Sequence, residues 1–181
     1  MVRMFVCIWI PDFLRKRIVK FQEEMKKLVM KAKFIEPENL HLTVTFLGEV
    51  EEREINSLKE MLDNSVKNIV KFNIKLEGLK IIPNENYIRV IGINAKNGDN
   101  ISNLIKNVAN VIDGKFYEEM KLTLCRVKNI IDKQALRNFI EKYRNVEIGI
   151  LNVKSISIVK SILTRRGPVY KTVYESVLRD F

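Results

Sequence analysis

The chain has 181 residues, 46% hydrophobic and 30% charged, with a formal net charge of +10 and a single histidine, His41. This composition fits one folded domain spanning residues 1–181, not a disordered or membrane-embedded chain. One histidine excludes a His-pair zinc site and forces any Ser-His-Asp triad to be built around His41.

Residues 4–10 form an unbroken apolar run closed by Pro11, the pattern of a buried strand. The run lacks a basic leader and a small-residue cleavage site, so it reads as a strand and not as a signal peptide. From Asp12, a candidate N-cap, a helical period puts Phe13, Leu14, Ile18, Phe21, Met25, Leu28 and Val29 on one side. Arg15, Lys16, Arg17, Lys20, Lys26 and Lys27 supply its polar side. Residues 37–39 are a turn. Residues 40–47 are a Thr- and aliphatic-rich strand closed by Gly48. A second helix is predicted over 51–70, with Ile55, Leu58, Met61, Leu62, Val66 and Ile69 as its stripe.

Phe72, Ile74 and Leu76 alternate as in a strand, and a polar turn at 83–86 leads into a return strand over 87–93. A third helix follows over 101–112, broken by Gly114, then a strand over 120–127. A fourth helix over 132–143 has Asp132 as its cap. Residues 146–163 hold one or two strands, 165–168 a basic turn, and 169–178 a last strand. The hairpin signals favour antiparallel pairing, hence an α+β fold over a doubly wound parallel sheet. There is no Gly-rich phosphate loop and no apolar run of membrane-spanning length. Cys7 and Cys125 lie far apart in apolar runs and in no CxxC pair. Spacing leaves a disulfide open, while buried free thiols in a reducing cytoplasm are the reading their surroundings favour.

The charge is uneven. Residues 1–33 carry +6, residues 34–114 carry −3 and residues 115–181 carry +7. Such asymmetry accompanies phosphate-bearing partners, although solvated helix faces account for many of the lysines.

Two strands 80 residues apart share a pattern, His41-Leu42-Thr43-Val44 and Lys121-Leu122-Thr123-Leu124. Alternation puts His41 with Thr43 on one face, and Lys121 with Thr123 on one face, while the aliphatic positions face a core. Two such strands suggest a pseudo-twofold fold whose polar faces meet in a cleft. The bare pattern is common in strands, where a histidine is also often structural.

With the residues around them, these motifs resemble the 2′-5′ RNA ligase family, the RNA 2′,3′-cyclic phosphodiesterases of the two-histidine phosphoesterase superfamily. The stretch from His41 to Glu49 looks like the family's first HxTx motif. Leu122-Thr123-Leu124-Cys125-Arg126-Val127-Lys128 is similar to its second. The opening strand from Met4, the lead from Phe34 to Leu40, the hairpin at Pro83 to Val90 and the turn from Leu163 to Tyr170 resemble the rest in order. The resemblance implies a bilobal α+β fold, two antiparallel sheets flanked by helices with a cleft between. It implies hydrolysis of a 2′,3′-cyclic phosphate at an RNA end to a 2′-phosphate, with 2′-5′ joining in some members. No metal or cofactor is implied. The expected partners are RNA ends, tRNA fragments among them, or small cyclic nucleotides, met in the cytoplasm by a monomer with no membrane attachment.

The second motif departs from the family, because Lys121 stands where histidine is expected. An imidazole can give or take a proton near neutral pH. A lysine ammonium can donate one or hold phosphate charge, but cannot accept one. By resemblance His41 matches the proton donor and position 121 the acceptor. The substitution opens three outcomes: an activated Lys121, a reversal in which His41 is the base and Lys121 the acid or charge clamp, or a site that binds RNA ends with little turnover. Thr43, Thr123 and Arg126 are the candidate phosphate ligands. Phe46, Tyr87 and Tyr170 are candidate stacking platforms, with a core role equally open. Arg89, Arg165 and Arg166 are candidate guides for the RNA backbone, or else solvated charges.

Overall fold

A computed structural model describes residues Met1–Phe181. In chain order the elements are β1 (Val2–Trp9), α1 (Asp12–Lys26), β2 (Met30–Phe34), β3 (His41–Val50), α2 (Ile55–Val66), β4 (Phe72–Asn84) and β5 (Tyr87–Lys96). They continue with α3 (Gly98–Ala109), β6 (Lys115–Phe116), β7 (Lys121–Ile130), α4 (Lys133–Tyr143), β8 (Glu147–Val153), β9 (Ser155–Thr164) and β10 (Gly167–Val177). Every strand pairing is antiparallel, in the order β10-β9-β1-β3-β7-β5-β4-β8, with β6 added to β3 and β2 to β7. The α+β class therefore holds. The two expected sheets are the halves of one curled sheet, joined at a single residue pair, Leu42 and Leu122.

That joint positions everything else. β3 and β7 meet only at their first residues and then run apart in opposite directions. Beyond the joint each strand satisfies its free edge with a short strand, β6 on β3 at Thr45 and Phe46, and β2 on β7 from Cys125 to Ile130. Neither short strand carries enough alternation to be legible in the sequence.

β1 is buried on both faces, which is why it reads as a continuous apolar run. Met4, Val6 and Ile8 enter a core cluster of 38 residues, while Phe5 and Cys7 face the other way against Val159, Trp9 and Tyr170. α1 buries Leu14, Ile18, Phe21, Gln22 and Met25. Phe13 lies outside that stripe and is 56% exposed, against expectation. Asp12 caps nothing; Pro11 takes the N-cap position, and Asp12 sits in the first turn beside Arg15. Buried Gln22 donates its amide to the carbonyls of Ile35 and Leu124, both at 3.0 Å, tying α1 to the strands that carry the site. Asp132 does cap α4, accepting from the Ala135 amide at 2.9 Å. α2 starts later than expected because Glu51 and Glu54 close a capping box around a 3-10 turn. β3 continues through Gly48, at φ 74°, beside a register shift against β1.

Gly92 is required by close approach. A Cβ there would lie 2.5 Å from the Leu122 carbonyl oxygen. Gly92→Ala is expected to lower stability by about 1–3 kcal/mol, as overpacking does. Urea unfolding of the two proteins measures it, and an unchanged midpoint would contradict the close β5–β7 contact.

Candidate active site

In antiparallel register, the Leu42–Leu122 pair sets His41 beside Thr123 and Thr43 beside Lys121. The two leucines are fully buried, so the four polar side chains share the opposite face, as the alternation predicted. All four, with Arg126, line one cavity of about 440 Å³.

His41 is held from two sides. Its Nδ1 lies 2.6 Å from the carbonyl oxygen of Asn39. A carbonyl can only accept, so Nδ1 carries the proton. In the neutral ring Nε2 is then the acceptor, 3.1 Å from the Thr43 hydroxyl, which donates to it. Asn39 is itself buried and donates its side-chain amide to the Pro168 carbonyl at 3.1 Å. The imidazole packs among Phe5, Trp9 and Tyr170, with ring centroids at 5.0, 5.8 and 5.6 Å. Burial pushes its pKa below the ordinary 6.5; the Asn39 carbonyl opposes this and Arg126 reinforces it. The ring is therefore a neutral proton acceptor at physiological pH.

Lys33, Lys121, Arg126 and Arg166 line the cavity, and none of them is in an ion pair. Of the two carboxylates in the lining, Glu119 is bound by Lys80 at 2.5 Å. Cations left without carboxylate partners in a half-enclosed cleft form a site for an anion. Phe46 and Tyr170 also line the cavity. Arg165, although adjacent to Arg166, is not part of the lining, nor are Tyr87 and Arg89. Those two sit on the β4–β5 hairpin, where the Arg89 guanidinium donates to the Tyr87 hydroxyl at 2.8 Å. Sequence reading missed Lys33, Glu36, Asn39, Tyr117 and Glu119. The segments before each motif carried a weak signal for them, since they turn the chain into β3 and β7.

Cys7 and Cys125 are free and buried. Burial raises both thiols, Cys125 to about 12, so neither is a nucleophile. No three His, Cys, Asp or Glu side chains come together as a metal cage, and no helix is long and apolar enough to cross a membrane.

The LigT-like phosphoesterase family matches this chain over residues 8–92. Over 180 residues the chain is 40% identical to the RNA 2′,3′-cyclic phosphodiesterase of Methanocaldococcus jannaschii, covering 96% of this chain and 99% of that one. It is 36% identical over 178 residues to the enzyme of that name from Aquifex aeolicus, covering 92% and 94%. Among solved structures, a protein of Thermus thermophilus superposes with a TM-score of 0.78 at 25% identity, over 98% of both chains. E. coli LigT complexed with ATP superposes at 0.69 and 17% identity over 99% of both, a likeness of fold.

Proposed function

The chain belongs to the LigT-like phosphoesterase family, and on that premise we propose that it opens RNA 2′,3′-cyclic phosphate ends by hydrolysis, with His41 as general base and Lys121 as the opposing cation. The observation that carries the role assignment is the 2.6 Å contact between His41 Nδ1 and the Asn39 carbonyl. It fixes the tautomer in which Nε2 accepts a proton.

The cyclic phosphate sits between the two motifs. The Thr43 hydroxyl turns its one proton from His41 Nε2 to a phosphate oxygen, which frees Nε2, and the Thr123 hydroxyl and the Arg126 fork hold the other oxygens. His41 Nε2 takes a proton from water as its oxygen bonds to phosphorus. The bond from phosphorus to the ribose 3′ oxygen breaks, and the Lys121 ammonium gives that oxygen its proton. A 3′ hydroxyl and a 2′-phosphate result. His41 then releases its proton to solvent and Lys121 regains one. Phe46, Tyr170 and Arg166 all line the cavity, which supports assigning the two rings to a terminal base and Arg166 to the preceding phosphate.

The test is incubation with a short RNA ending in a 2′,3′-cyclic phosphate, in the presence of EDTA, followed by phosphorus NMR of the end group. Conversion to a 2′-phosphomonoester is expected. Tight binding without conversion would instead identify a module that recognises RNA ends.

A further inference from the structure

Lys121 reaches the cleft on a flexible four-carbon stem, and an ordered acid needs something to hold it. Its Nζ lies 5.4 Å from the centroid of the Tyr117 ring. No carboxylate lies within ion-pair distance of it, and Glu119, which feels its charge across the same cavity, is bound by Lys80. The ring is fixed in turn by Phe46, edge-on at 6.1 Å and 87°. Phe46 lies on β3, 6.3 Å from Phe5, whose ring is 5.0 Å from His41. A run of ring contacts thus connects the proton acceptor to the cation across the joint of the sheet. The Lys115 ammonium stands 5.5 Å from the same Tyr117 ring, so the ring serves two cations.

We propose that Tyr117 is a positioning residue for the reaction, its ring face holding the Lys121 ammonium over the phosphate site. The inference rests on the role given to Lys121 above. An aromatic face attracts a cation and leaves its N–H donors free, whereas a carboxylate would occupy them and cancel the charge that the phosphate needs. A lysine also loses considerable rotamer freedom when it is fixed, so a ring that restricts it beforehand raises the fraction of molecules ready to react. Tyr117 is 42% exposed, so its truncation disturbs little of the core.

The test compares kcat and KM of the parent, Tyr117→Phe, Tyr117→Leu, Lys121→Ala and the Tyr117→Leu/Lys121→Ala double variant, on a cyclic-phosphate trinucleotide. Tyr117→Leu is expected to lower kcat by about 5- to 30-fold with KM nearly unchanged, the scale of one partly desolvated cation–π contact. Tyr117→Phe retains the ring and is expected to match the parent. With Lys121 already removed, Tyr117→Leu is expected to cost nothing further. A loss that persists in the Lys121→Ala background would overturn the proposal, because Tyr117 would then be touching substrate itself. An unaffected Tyr117→Leu, or a Tyr117→Phe as impaired as Tyr117→Leu, would overturn it too. If Lys121→Ala alone leaves hydrolysis untouched, the role given to Lys121 fails, and this inference with it.

Discussion

His41→Ala is expected to lower kcat for hydrolysis of a cyclic-phosphate trinucleotide by about 10²- to 10⁴-fold, the usual contribution of a positioned general base. His41 is the only histidine in the chain, so no neighbouring imidazole can take over. On the proposed assignment the remaining rate would come from Thr43, Thr123, Arg126 and Lys121, whose proposed part is to bind and polarise the phosphate without taking the proton of water. The same assignment sets the pH profile. The reactive form is neutral, and burial holds the imidazole pKa below 6.5, so activity is full at neutral pH and falls as acid protonates Nε2. The profile of kcat/KM between pH 4 and 8 should therefore rise through a single acid limb positioned below 6.5. A His41→Ala protein with parental turnover, or a rate that climbs as pH falls below 6, would show that His41 is not the base.

The second large effect is at Lys121. Lys121→Ala is expected to lower kcat by about 10²- to 10³-fold, the scale of losing one preorganised group that meets developing charge. Lys121→His separates two accounts of this position. If Lys121 is the acid, an imidazole in its place donates only while protonated. The single-limb profile then becomes bell-shaped, as two histidine groups with opposed requirements demand. If Lys121 is instead a lesion in the family chemistry, Lys121→His raises turnover by orders of magnitude. Parental kcat in Lys121→Ala would exclude the acid account, and a Lys121→His variant that is parental too would exclude the lesion and leave position 121 a bystander. Tight RNA binding by a parent that shows no turnover, lost in Lys121→Ala, would make the cleft a recognition site.

Both predictions begin from residues that the sequence put forward. His41 with Thr43, and Lys121 with Thr123, could be assigned to shared faces because strand alternation is local and Leu42, Val44, Leu122 and Leu124 demand burial. The β-hairpins at Asn84–Tyr87 and Thr164–Gly167 were likewise visible from polar turn residues between apolar runs. Phe13 misled because a periodic reading admits neighbours of the stripe. Only packing decides that Leu14 is buried and Phe13 is not.

By itself, the sequence determined the α+β class, the two motif strands, the excess of cations and the fact that only one imidazole is available. Each follows from composition or from a period of two to four residues. Tertiary structure decided the rest. β2 and β6 exist because β3 and β7 diverge after one pair and need partners at their free edges. Asn39 fixes the tautomer of His41 through a backbone carbonyl, a contact set by the fold of the turn before β3. Tyr117 meets Lys121, and Lys33 lines the same cavity as Arg166, only because the sheet curls and brings segments distant in the chain around one space. Those contacts depend on chain path and curvature, which no local pattern of residue types encodes.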